Sequence, residues 1–221
     1  MANICDTTFV IEGSKEEVQN LANKLAFWTS DTNPYNVSLR EKYRYVEIKA
    51  LTFIAKQALI VTNDTRRGVI TDMDLELEEQ SEDTFTIRIE TDSAWTAPVD
   101  FMNALVGRYA PNCKIYFQST EPGCDYYVIQ DDEGKYFDED IIVDAEIEQH
   151  AEEFKAFDFP KHDVSYYTEE DFLAILQKGF NDYDSDFDTL LEKLNKMSQE
   201  LTDGDEFLTV AKYTRVSSYD Y

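Results

Sequence analysis

Histidine, cysteine and positive charge are all scarce in this sequence, and each shortage removes a class of function. Two histidines, His150 and His162, stand in a chain of 221 residues, with no HExxH or HxxxH spacing between or around them. The usual zinc and general-base constellations are therefore missing. Three cysteines, Cys5, Cys113 and Cys124, show no CxxC spacing and leave one over if two pair, which is not a disulfide framework. Lys and Arg number 20 against 46 Asp and Glu, a formal charge of -26. Direct contact with nucleic acid, which needs clustered cations, is not expected, and neither is an anionic membrane surface. No apolar run approaches the roughly 20 residues of a membrane span, and the first residues lack a basic, apolar leader. A cytoplasmic chain is expected. Walker, GxGxxG and GxSxG motifs are absent, so no cofactor is expected.

Apolar material is ample: hydrophobic residues make up 43%, with 14 Phe and 14 Tyr. Disordered acidic chains are poor in such residues, so this one is expected to fold. Cys5–Glu12 reads as a strand ended by Gly13. Ser14 and Glu17 form a capping box, and Val18, Leu21, Ala22 and Leu25 repeat at the spacing of one buried helix face. Residues 29–65 read as a mostly helical insertion. Val69–Glu78 and Thr84–Thr91 alternate as a strand pair, followed by a helix over 96–109 with Pro98 in its first turn. Strands are expected at 114–118, 126–130 and just after Asp132-Glu133-Gly134, the last two as an added hairpin. Helices are expected over 168–180 and 186–201, then a strand over 206–213. The order predicts an α+β fold: a ferredoxin-like split β-α-β antiparallel sheet with a helical insertion and a C-terminal helical extension. The domain boundary is expected at 148, with 149–221 as an α-rich extension.

Three segments carry a resemblance to a family. They are Ala2-Asn3-Ile4-Cys5 running into Thr8–Gly13, the strand-to-helix passage Thr91-Asp92-Ser93-Ala94-Trp95-Thr96-Ala97-Pro98, and the Glu121-Pro122-Gly123 turn before an aromatic strand. Over residues 2–145 the chain resembles YubB-type ferredoxin-like domains, departing at Ala2 and Ile4, where such domains often carry Pro and Trp. The resemblance implies a ferredoxin-like fold and a plasmid or phage origin, and it brings no catalytic residues.

Acidity is concentrated as well as abundant. Residues 131–158 hold twelve carboxylates against Lys135 and Lys155, a net of -10. Asp131, Asp132, Glu133, Asp138, Glu139, Asp140, Asp144, Glu146, Glu148, Glu152 and Glu153 are therefore the expected partner-binding surface, joined by Glu76, Glu78 and Glu79. The expected partner is a basic protein, with nucleic-acid-binding defence or replication proteins the natural class, approached by imitation of a phosphate backbone. The competing expectation is a divalent-metal module or metal-dependent enzyme using Asp182, Asp184 and Asp186. These stand at positions one, three and five of an EF-hand-like loop, but Phe187 and Lys193 occupy the places where Gly and Glu are required. The plain reading of that loop is a helix cap by Asp186 or Asp188. Trp95 is expected in the core, Arg66-Arg67 in local ion pairs, Cys5 and Cys113 as inert buried thiols in strands, and Cys124, after a turn, as a more exposed one.

Overall fold

A computed structural model describes residues 4–43, 45–64, 67–147, 152–159, 162–201 and 208–217. The chain divides into two compact units, one formed by residues 1–137 with 214–221 and the other by residues 138–213. The division falls after Phe137, ahead of position 148, so Asp138–Glu148 belong with the second unit.

The first unit is built on β1 (Ile4–Gly13), α1 (Lys15–Thr29), α2 (Pro34–Lys42), α3 (Leu51–Ala58), β2 (Val69–Ser81), β3 (Thr84–Ala94), α4 (Val99–Tyr109), β4 (Lys114–Glu121), β5 (Tyr126–Gln130) and β9 (Thr214–Arg215). Its sheet runs β2-β3-β1-β4-β5-β9, antiparallel except for the β5–β9 pair. The central strand β1 pairs Phe9 with Ile89 on one side and with Phe117 on the other. Those residues share one face with Ile11, Ile87 and Ile70, and on them pack the buried sides of α1, α3 and α4. Ser14 caps α1 by accepting the Glu17 amide at 3.4 Å, as its capping box predicts. Helix α4 begins at Val99, with Pro98 in the cap position, because proline fits the start of a helix and not its interior.

The expected strand after Gly134 does not form beside β5. Gly134 takes a positive φ of 61°, and the next amides, Tyr136 and Phe137, turn inward to donate to Asp131 Oδ2 at 2.7 and 3.0 Å. An aspartate that collects consecutive backbone donors ends a ladder and makes a turn. Residues 131–137 therefore form a strap, and Phe137 is buried at 3% exposure.

The second unit comprises β6 (Ile141–Glu146), β7 (His162–Tyr167), α5 (Glu169–Phe180), α6 (Phe187–Leu201) and β8 (Leu208–Lys212). It is more than a helical extension, since β7-β6-β8 form an antiparallel sheet. Ile141, Val143 and Ala145 on β6 are fully buried with Leu176, Leu190 and Leu194 of the two helices and five phenylalanines. Phe172 is central, with ring centroids of Phe159, Tyr167 and Phe187 at 6.0, 5.6 and 6.1 Å. Among the described residues no helix is long and apolar enough to cross a membrane.

Packing is tight where α5 meets Phe157. A methyl group on Gly179 would overlap the Phe157 ring. Ordinarily alanine improves a helix interior by about 1 kcal/mol over glycine. Here Gly179→Ala is expected to destabilise the second unit by roughly 1–3 kcal/mol, because overpacking outweighs propensity. A chemical melt of the variant checks this: a gain in stability would show that Phe157 moves aside without penalty.

Candidate functional site: an acidic sheet face

Strand β2 lies at the sheet edge and sorts its side chains by face. Met73, Leu75 and Leu77 are half-buried against the core, while Asp72, Asp74, Glu76 and Glu78 are exposed. Side chains two apart on a strand are roughly 6.6 Å apart, so four carboxylates form a spaced row, bent by a register irregularity between Asp74 and Glu78. Register extends the row inward: Asp72 faces Glu90 on β3, and Asp92 on β3 faces Asp6 on β1. On β1, β2 and β3 this face carries one cation, Arg88, whose guanidinium lies 5.9 Å from the Phe137 ring. A charged edge also blunts strand-to-strand aggregation.

Two acids placed opposite each other cannot both ionise at ordinary cost. Partial burial, a hydrogen bond with Asp92 and the charges of Asp92, Glu121 and Glu90 push the Asp6 carboxyl up to about 6 from 3.8. The folded value lies above the unfolded one, so the folded state binds this proton more tightly. The resulting stability is present at low pH and is lost as pH rises through about 6. Asp6→Asn is expected to raise the melting temperature at pH 7, with the difference from wild type shrinking as pH falls through about 6 and closing near the unfolded value of 3.8. A variant no more stable than wild type at pH 7 would refute the repulsion.

Beside this face the strap anchors itself on Glu12. Glu12 is 8% exposed and accepts from Lys135 Nζ, Tyr136 Oη and, at 3.3 Å, Tyr116 Oη. Burial pushes its carboxyl up, but those donors together outweigh burial and hold it below its usual value. Burial and the Glu12 charge push the Tyr116 hydroxyl up to about 12, and the Tyr136 hydroxyl rises for the same reasons. Arg215 locks the strap from β9, donating to the carbonyls of Asp131 and Phe137 at 2.7 and 3.1 Å.

An open cleft of about 800 Å³ adjoins the strap, lined in part by Cys113, Lys114, Tyr116, Asp132 and Lys135. Its groups are set for binding more than for proton transfer. Both tyrosines hold their protons, and Glu12 already faces three donors. Burial and the charges of Glu17 and Glu12 push the Cys113 thiol up to about 11, which leaves little thiolate at neutral pH.

The acidic segment expected from sequence divides between the two units. Asp132 and Glu133 are exposed in the first, whereas Asp131 is 2% exposed and belongs to the strap's hydrogen bonding rather than to the surface. Asp138, Asp144, Glu152 and Glu153 are exposed in the second unit, with Glu139 and Asp140 half-buried. Glu146 lies in β6, and Glu148 and His150 fall outside the described residues. In the Asp182–Asp188 loop the Asp182 carboxylate accepts from Lys193 and Ser185, and Asp186 caps α6 by accepting the Thr189 amide at 2.8 Å. Asp184 is exposed, and among the described residues no group of three or more His, Cys, Asp or Glu is placed to hold a metal ion. Glu79 is exposed beyond the row. Trp95 is not a core residue: it has a positive φ of 71°, is 54% exposed, and lies under the Arg67 guanidinium at 5.5 Å. That stacking, in place of an ion pair, is what the described half of the Arg66-Arg67 pair does.

Sequence reasoning passed over the β2 row as a unit. Its signal is the alternation Asp72-Met73-Asp74-Leu75-Glu76-Leu77-Glu78, in which one strand face is wholly acidic. Comparison with protein-family models, with curated proteins and with solved structures finds no match.

Proposed function

We propose that this chain is a non-enzymatic, acidic interaction protein of a mobile element that occupies the nucleic-acid groove of a basic host protein. Its first unit is taken as a YubB-type ferredoxin-like domain. The order β2-β3-β1-β4 with α1 and α4 on one face, which is the split β-α-β pattern, supports that reading. The observation that carries the functional proposal is the exposed row Asp72, Asp74, Glu76 and Glu78, backed by Glu90, Asp92 and Asp6. Regularly spaced carboxylates on a rigid strand offer a basic groove what a phosphate backbone offers. Association is steered by long-range attraction and weakens as salt rises. The partner class is a nucleic-acid-binding defence or replication protein, held through Lys and Arg that otherwise grip phosphate. The metal-site alternative draws no support from Asp182, whose carboxylate is occupied by Lys193 and Ser185.

The test is competition. Host proteins captured on the immobilised chain at about 50 mM salt are challenged with duplex DNA, over a range where the screening length falls from roughly 14 Å to a few ångströms. DNA is expected to displace them. A chain carrying Asp72→Asn, Asp74→Asn, Glu76→Gln and Glu78→Gln, all exposed changes, is expected to bind at least about tenfold more weakly. Full retention by that variant would remove the row from the interface. Capture indifferent to DNA would remove the mimicry.

A further inference from the structure

Charge is segregated within the first unit. Residues 34–67 contain seven Lys or Arg and three Asp or Glu, a net of +4, while the rest of the whole chain carries -30. This basic island is the α2–α3 insertion, and exposed rings are interleaved with its cations. Tyr45 is 86% exposed and Tyr43 49%, Lys42 Nζ lies 5.4 Å from the Tyr43 ring, and Lys56 Nζ lies 5.5 Å from the Phe53 ring. Between α2 and α3 these residues enclose an open groove of about 290 Å³, with Tyr35, Tyr43, Tyr45, Phe53, Glu47 and Lys56 in its wall. Helix α2 is tied to α1 and α3 by a polar network. Fully buried Asn36 donates to the carbonyls of Trp28 and Ser30 at 2.7 and 2.8 Å, and Asn33 donates to Gln57 at 2.7 Å.

We infer that this groove binds single-stranded nucleic acid, seating one base among Tyr43, Tyr45 and Phe53 with flanking phosphates at Lys42 and Lys56. Three features select that occupant. Every base has a π-face, and exposed rings beside cations are the standard platform for unpaired bases. The groove has the volume of a small planar ligand and is too small for a protein helix about 10 Å across. Glu47 supplies a carboxylate acceptor in the wall, which suits the exocyclic amine of cytosine or adenine and is useless to an acidic peptide. The net charge of the chain opposes nucleic acid at long range. At physiological salt the field is screened over about 8 Å, so the local +4 governs contact at the groove. The inference is independent of the acidic-face proposal, which concerns the opposite side of the sheet.

The experiment measures fluorescence anisotropy of labelled dA12, dC12 and dT12 with the full chain at about 50 mM salt, with a glutamate dodecapeptide as the control anion. Binding of dA12 and dC12 tighter than dT12 is expected, with log K falling against log salt at a slope near -1.4, two phosphates at about -0.7 each. Tyr45→Ala is expected to weaken binding at least about fivefold, the lower bound for losing one stacked base. The pair Lys42→Glu and Lys56→Glu is expected to abolish it. Glu47→Ala is expected to erase the preference over dT12, and Glu47→Gln, which keeps an acceptor oxygen, to retain it. These positions are exposed, and a circular-dichroism melt matching wild type excludes misfolding as the cause. No binding of any oligonucleotide, binding untouched by Tyr45→Ala, or equal binding of the glutamate peptide would each overturn the inference.

Discussion

Phe172→Ala is expected to unfold the second unit near 37 °C while leaving the first folded. Phe172 is fully buried and touches the rings of Phe159, Tyr167 and Phe187, so truncation leaves a void with aromatic walls on three sides. Phe→Ala in such a site costs about 3–5 kcal/mol. Whole domains are stable by only about 5–15 kcal/mol, and a unit confined to residues 138–213 belongs at the lower end of that range. The two cores share no member, since one cluster runs from Phe9 to Val128 and the other from Ile141 to Leu194. Calorimetry of the variant should therefore show the transition of the second unit displaced downward by more than 10 °C and the other nearly unmoved. The same variant separates the functional readings. Binding that depends on the β2 row should persist, whereas binding led by Asp138–Glu153 should vanish. A single transition shifted as a whole would mean that the units melt cooperatively.

What the sequence made legible was local. The capping box at Ser14, the i, i+3, i+4, i+7 set in α1 and the alternation of β3 each rest on contacts within a few residues, and α1 and β3 form where they are expected. The second sheet was not legible in the same way. β7 draws on Val164, Ser165, Tyr166 and Tyr167, a run without strict alternation, and it becomes a strand only because β6 offers a partner. The strap escaped notice because its cause is one carboxylate: Asp131 looks like any other acid in a cluster of twelve, yet it is 2% exposed and collects two amides. Trp95 looked like a core residue by type. Its left-handed backbone at the end of β3 turns the ring outward. Composition misleads in a related way, because a total of -26 hides a basic stretch whose sign appears only when residues 34–67 are counted alone.

The acidic face and the strap meet in a second strong expectation, at Glu12. Glu12→Ala would leave Lys135 and the hydroxyls of Tyr116 and Tyr136 without the acceptor they share. Removing one partner of a well-buried ion pair costs about 3–5 kcal/mol. The Lys135 side chain is 40% exposed and water recovers part of its solvation, so roughly 2–3 kcal/mol is expected here. The strap should loosen with it, and amide exchange at Tyr136 and Phe137 should accelerate while exchange at Phe9 and Phe117 stays slow. The pH dependence has a definite sign. The folded Glu12 carboxyl lies below its ordinary 4.5, so its contribution is complete above that value and disappears as pH falls through the lower, folded one. Asp6 acts oppositely, its contribution fading as pH rises through about 6. Thermal stability should therefore peak at about pH 4, between the unfolded values of 3.8 for Asp6 and 4.5 for Glu12. Glu12→Gln is expected to flatten the acid limb alone and Asp6→Asn the alkaline limb alone. A profile whose acid limb survives Glu12→Gln unchanged would place the acid-sensitive contact elsewhere in the fold.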